Sequence, residues 1–220
     1  AYDAWCKLMY SYKRGNVWQE PEPFPFIREE VNYGHPAFAA NGTTLFFSSD
    51  APEGQGGHDI YFTQVDGAGN WAEPANLGTF INTIGQEQYP TVYKDTLFYS
   101  SDRLAGLGGL DIFKTYLNQE GQWVPPINLR SPVNSGADDF GFIVDTFAAP
   151  AENVLMQGYF TSSRGGAARN DDIFAFTLKG IQPGTDIVDV PDNEVPKEKP
   201  VDYQIFVSIR VMEPQFEVPD

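Results

Sequence analysis

Hydrophobic and polar residues alternate along this chain in short runs, and the runs recur. Leu45-Phe46-Phe47 leads into Ser48-Ser49-Asp50, and 52 residues later Leu97-Phe98-Tyr99 leads into Ser100-Ser101-Asp102. Gly56-Gly57-His58-Asp59-Ile60-Tyr61 is matched at the same offset by Gly108-Gly109-Leu110-Asp111-Ile112-Phe113, and Trp71 by Trp123. A third copy carries Phe160-Thr161-Ser162-Ser163-Arg164, then Gly165-Gly166 and Asp171-Asp172-Ile173-Phe174, shifted by 61 to 62 residues. Its extra length sits at Thr146 to Asn153, as expected of a loop insertion.

Each unit reads as four short strands. In the first, Ala37 to Ala40 passes through Asn41-Gly42, a strong hairpin signal, into Thr44 to Ser49. A glycine-rich loop follows to His58, and Asp59 to Val65 is rich in β-branched and aromatic residues. Asp66-Gly67-Ala68-Gly69 turns the chain, and Trp71 opens a fourth strand-like piece near Asn76-Leu77-Gly78. No segment has a useful helical period, and 21 Gly and 17 Pro would interrupt one. Four antiparallel strands per unit of about 50 residues predicts an all-β chain of propeller blades. Trp18 lies 53 residues before Trp71, so the first twenty residues read as the last two strands of an earlier unit.

The expected organisation is a blade remnant over 1–33, blades at 34–86, 87–137 and 138–180, an acidic Pro-rich linker at 181–200, and at 201–220 a strand that begins a second β-domain or docks on a blade edge. The last 40 residues hold nine Asp+Glu, three Lys+Arg and six prolines, the composition of an extended linker.

Composition narrows the function. With 14 Lys+Arg against 30 Asp+Glu the net charge is -16, which disfavours nucleic acid and anionic membrane surfaces. No run of 18 apolar residues provides a helical membrane span. The lone Cys6 removes any intramolecular disulfide or Cys-based zinc cluster, and it lacks the context of a lipidated cysteine. The start at Ala1, without a signal pattern, reads as a mature or trimmed end.

The pattern aromatic-Ser-Ser-Asp, Gly-Gly-x-Asp-Ile-aromatic and Trp71-Ala72-Glu73-Pro74-Ala75-Asn76-Leu77-Gly78, followed by Ile81-Asn82-Thr83 and Glu87-Gln88-Tyr89-Pro90, resembles the TolB-type, WD40-like (PD40) propeller repeat. The form is similar to that of OmpA-family envelope proteins of the Bacteroidetes. The resemblance implies a periplasmic or outer-membrane location in a Gram-negative cell. It also implies other envelope proteins as partners, a type IX secretion or gliding association, and peptidoglycan contact through a further module. It covers residues 34–180 well and 1–33 in part. Arg164 reads as standing where the first two units have Asp50 and Asp102, and the third unit lacks the Trp-x-x-Pro-x-Asn-Leu-Gly tail.

The repeated Asp59, Asp111 and Asp172 invite a hard-cation site at a central channel. The competing reading is that an Asp after Gly-Gly accepts backbone N–H bonds from its own turn, repeated because the turn repeats. Ser48-Ser49-Asp50, Ser100-Ser101-Asp102 and Ser162-Ser163 read as loop-capping groups. Trp71 and Trp123, with Trp18, read as packing between neighbouring blades. The Asp-box of sialidases, which are propeller glycosidases, is not completed, because no Gly-x-Thr-Trp follows Asp50 or Asp102. Asp138-Asp139 and Asp171-Asp172 read as solvated turn charge. His35 and His58 have no nucleophile motif beside them, and no Gly-rich phosphate loop is present. No catalytic, cofactor or metal residue is therefore assigned, and a noncatalytic protein-interaction scaffold is the leading expectation. A carbohydrate-binding module or propeller glycosidase is the alternative, and the propeller half of a peptidase is a third reading.

Overall fold

In the computed structural model the described residues are 5–148, 153–165, 171–180 and 205–211. The predicted linker at 181–200 and part of the insertion after Thr146 lie outside them. The elements in chain order are β1 (Met9–Tyr10), β2 (Lys13–Arg14), β3 (Val17–Trp18), β4 (Glu22–Pro23), β5 (Tyr33–Phe38), β6 (Thr44–Ser49), β7 (Asp59–Gln64) and β8 (Ala75–Asn76). They continue with β9 (Glu87–Tyr93), β10 (Thr96–Ser101), β11 (Asp111–Tyr116), β12 (Ile127–Asn128), β13 (Asp139–Val144), β14 (Val154–Ser162), β15 (Asp172–Gly180) and β16 (Ile205–Val211). No helix occurs among the described residues, so none is long and apolar enough to cross a membrane.

The strands form three four-stranded antiparallel sheets, β5-β6-β7-β8, β9-β10-β11-β12 and β13-β14-β15-β16, with two-stranded pairs β1-β4 and β2-β3 ahead of them. Among the described residues the three sheets do not close into a ring. Their register repeats: Ser49 stands opposite Asp59, Ser101 opposite Asp111, and Ser162 opposite Asp172. The third sheet takes its fourth strand from β16, paired from Phe174↔Val211 to Gly180↔Ile205. The first two units reach that place within the tail that the third unit lacks.

The register corrects one alignment. Because Ser162 occupies the place of Ser49 and Ser101, the residue equivalent to Asp50 and Asp102 is Ser163, and Arg164 is equivalent to Arg103. Hydrogen bonding agrees: Asn32 N–H donates to Asp50 Oδ1 at 2.7 Å, Gln86 N–H to Asp102 Oδ1 at 2.9 Å, and Asp138 N–H to Ser163 Oγ at 3.1 Å. The sequence frame slipped because Thr161-Ser162-Ser163 offers two ways to align a Ser-Ser pair.

Alternating side chains explain how the sheets stack. Phe46 and Phe47 are adjacent in β6 and point to opposite faces. Phe46 joins Ile60, Leu97, Tyr99 and Phe113 in the core between the first and second sheets. Phe47 joins Leu8, Phe24, Val31 and Tyr61 in the core against the N-terminal segment. Phe98 and Ile112, on the other face of the second sheet, pack with Phe142, Phe160 and Phe174 of the third. All six residues of β6 are consequently buried, since both faces of that strand are covered. At about 25 cal/mol per Å² of apolar surface removed from water, these three aromatic layers are the main stabilising term.

The first strands, β5, β9 and β13, run beside one another and form one edge of the stack. Each is bulged, at Gly34/Ala37, opposite Phe98/Ser100, and at Phe140/Ile143. The residue at the bulge has positive φ each time: His35 at 52°, Tyr89 at 55° and Gly141 at 65°.

Candidate functional site

The polar signature residues sit at one end of the sheets, where each glycine-rich loop returns into a strand. Asp59 Oδ2 accepts from Gln55 N–H at 2.5 Å and from Asn76 Nδ2 at 2.7 Å. Asp111 Oδ2 accepts from Leu107 N–H and, at 3.5 Å, from Gly108 N–H. A Cβ added at Gly54 would lie 2.7 Å from Asp59 Oδ2, and Gly106 and Gly165 approach Asp111 and Asp172 in the same way. Asp59 and Asp111 thus organise their own turns. Among the described residues, no three His, Cys, Asp or Glu side chains come together as a metal site.

A second repeated device escaped the reading of the Ser/Asp motifs. Asn82 accepts from Ile60 N–H at 2.7 Å and donates from Nδ2 to Ile60 O at 2.9 Å and Asn76 Oδ1 at 2.8 Å. Asn134 repeats this on Ile112 at 2.8 and 2.8 Å and on Asn128 at 2.9 Å. Each Asn is 1% exposed and pairs with one strand residue as a neighbouring strand would, tying the inter-sheet connection to the sheet it leaves. The 52-residue offset of Asn82 and Asn134 was the available signal.

The third device is a buried acid at the head of a first strand. Glu87 accepts from Thr83 N–H at 2.7 Å, Thr83 Oγ1 at 2.8 Å and Ser101 Oγ at 2.6 Å. Burial pushes its carboxyl above the usual range. Asp139, its equivalent, accepts from Ser135 N–H at 2.6 Å and from Arg164 Nη2 at 2.5 Å. Asp139 is 0% exposed, so its expected role as solvated turn charge is overturned: the pair Asp138-Asp139 splits, Asp138 capping Leu110 N–H at 2.9 Å and Asp139 turning into the core. In the first sheet Tyr33 holds that position, and Ser49 Oγ is buried without a hydrogen-bond partner among the described residues.

His35 Nδ1 lies 2.8 Å from Ser48 Oγ. Burial and the neighbouring His58 hold its imidazole below the ordinary range, so it is neutral near pH 7. Ser48 is 0% exposed, so its hydroxyl faces the interior. On the other side the His35 ring stacks on Tyr89 at 3.9 Å, and Tyr89 on Phe140 at 4.8 Å, which lays an aromatic row across the three first strands.

The tryptophans divide. Trp71 packs edge-on to Phe24 at 5.4 Å and Tyr10 at 5.9 Å, and Trp123 to Phe46 at 6.3 Å, each against the preceding unit. Trp18 is 66% exposed, because no second-strand aromatic of an earlier sheet lies beside it among the described residues. Two cavities open between units. One of about 290 Å³ lies between the segment Pro25–Arg28 and the first sheet, and reaches Ser49, Glu53 and Tyr61. The other, of about 570 Å³, lies between the first and second sheets beside Trp123.

Compared with known proteins, the chain matches no family model and no curated protein sequence.

Proposed function

We propose that the three sheets are consecutive blades of a β-propeller that serves as a noncatalytic protein-binding scaffold of a bacterial cell envelope, in a protein of the OmpA-like type. One observation carries this reading. The face of each sheet that meets the next is closed in the first two and open in the third. Phe46 and Ile60 are 6% and 0% exposed, and Phe98 and Ile112 are 3% and 0%. Their register equivalents Tyr159 and Ile173 are 37% and 55% exposed, with Ile143 at 55% and Leu155 at 60% beside them. Ile143, Tyr159 and Ile173 neighbour one another in the register, and exposed apolar side chains at positions that the other two sheets bury support an interaction surface there. The periplasmic or outer-membrane location, and envelope proteins as partners, rest on the repeat resemblance.

The test is site-specific photo-crosslinking from position 173 in the native source. Capture of a protein segment against this face supports the reading, whereas a native assembly with no contact anywhere in residues 34–180 refutes it.

A second reading, carbohydrate binding, has one observation in its favour. The cavity of about 290 Å³ combines the paired Arg28 and Glu53 side chains, 2.7 Å apart, with an apolar wall at Phe26 and Ile27, the kind of mixed lining that holds a sugar. A glycan screen that returns no binding, with and without calcium, removes it.

A further inference from the structure

The groove of about 570 Å³ beside Trp123 has a counterpart one repeat earlier that rings of the N-terminal segment partly occupy, and those rings show what the open copy accepts. Rings from the N-terminal segment pack against Trp71, which also lines an open cavity of about 540 Å³ with Thr43, Gln64 and Asp66. Phe24 stands 5.4 Å from the indole and Tyr10 5.9 Å, and Tyr12 packs edge-on to Tyr10 at 5.4 Å. The Tyr12 hydroxyl donates to Gly69 O at 3.2 Å, on the turn that precedes Trp71.

The equivalents follow from the pairing. Met9↔Pro23 and Tyr10↔Glu22 match Tyr61↔Asn76 and Phe62↔Ala75. Phe24 N–H donates to Leu8 O as Leu77 N–H donates to Ile60 O. Tyr12 therefore corresponds to Gln64, Phe24 to Leu77, and Gly69 to Gly121, whose φ of 73° matches the 88° of Gly69. Two rings are lost between one interface and the next, one replaced by an amide and one by an aliphatic side chain. The open groove results, lined by Phe46, Phe62, Leu97 and Trp123 with Gly121 at its wall and the half-exposed Leu117 at its lip. It is the unfilled continuation of the sheet-to-sheet interface, since Phe46, Leu97 and Trp123 also belong to the core between those sheets.

We propose that this groove binds a tyrosine side chain of a partner protein, with the ring against Phe62 beside Trp123 and the hydroxyl on the carbonyl of Gly121. The proposal rests on the scaffold reading for the nature of the partner, and on the internal repeat for the chemistry. A ring supplies to Phe62 the edge-on contact that Tyr12 makes with Tyr10, the equivalent of Phe62. A phenol rather than a phenyl is specified because the earlier copy uses its hydroxyl on the equivalent turn.

The probe is N-acetyl-L-tyrosinamide, titrated into the ¹⁵N-labelled chain while the Trp123 indole N–H resonance is followed, assigned with Trp123→Phe. The expected result is a saturable shift at Trp123. N-acetyl-L-phenylalaninamide should bind about 2- to 10-fold more weakly, the loss of one hydrogen bond, and N-acetyl-L-leucinamide should not shift it. Gln64→Tyr, which restores the side chain of the earlier copy, should abolish the response, and Leu117→Asp at the exposed lip should weaken it in a chain that remains folded. No shift of Trp123, an equal shift with leucinamide, or a response unchanged in both variants overturns the proposal. A native complex that engages residues 34–180 but is insensitive to Gln64→Tyr also overturns it, while leaving the scaffold reading intact.

Discussion

Arg164 donates from Nη2 to Asp139 Oδ1 at 2.5 Å, and the same guanidinium donates from Nε to Ser162 Oγ at 2.8 Å and from Nη1 to Pro132 O at 2.7 Å. It lies over the rings of Phe160 and Phe174, 5.2 and 5.0 Å from their centroids. Its side chain is 21% exposed and that of Asp139 0%, so the pair is taken largely out of water. Removing one partner of such a pair leaves an uncompensated buried charge, at a cost of about 3–5 kcal/mol. Arg164→Ala should lower the urea midpoint accordingly. Arg164→Lys should recover only part, since an ammonium cannot reach all these acceptors at once. A loss below about 1 kcal/mol for Arg164→Ala would count against the buried-pair account.

Asn82 makes a different prediction, because its amide both donates and accepts. Asn82→Ala leaves Ile60 N–H and C=O without partners in the core, and Asn82→Asp retains the shape but loses the donor. Both should destabilise by about 2–4 kcal/mol, and Asn134 should behave alike. If Asn82→Asp were neutral in equilibrium unfolding, the strand-mimicking role would be wrong.

Glu87 should leave a signature in the pH dependence of stability. Its folded pKa is raised above the ordinary 4.5. Its stabilising contribution is therefore present below that value and is lost as pH rises through the folded pKa. Wild type minus Glu87→Gln, followed by unfolding at several pH values, should decline from about pH 4.5 upward and then level. His35 acts with the opposite sense. Its folded pKa is lowered, so stability falls as pH drops below the ordinary 6.5 and the unfolded chain takes up the proton first.

The open face predicts an asymmetry between equivalent isoleucines. Ile173→Arg should change the stability of the 220-residue chain by less than about 0.5 kcal/mol, as an exposed substitution does. Ile112→Arg, at the 0%-exposed equivalent, should prevent folding. Circular dichroism with thermal unfolding of both variants checks this. Equal damage from the two would mean that the third sheet's face is covered within the chain.

The repeat, the strand periodicity and the loop role of Asp59 and Asp111 were legible in the amino-acid order, because a period of two and a 52-residue offset are properties of the chain itself. Local hydrogen bonds such as Gln55 N–H to Asp59 span four residues and need no tertiary context. Asp139 could not be read that way. Adjacent to Asp138, it reads as surface charge, and only its pairing with Arg164, 25 residues away, carries it into the core. The alignment of Ser163 with Asp50 was settled by strand register, which depends on which side chains face the neighbouring sheet. The pairing of 205–211 with β15 is likewise a tertiary choice, since the strand propensity of Ile205 to Val211 says nothing of which edge it meets. Sequence alone determined that the chain is built of repeated four-stranded units with Ser/Asp-capped loops. Tertiary structure decided which acids are buried, which sheet face is left open and which groove is left unfilled, because burial depends on contacts between units that lie far apart along the chain.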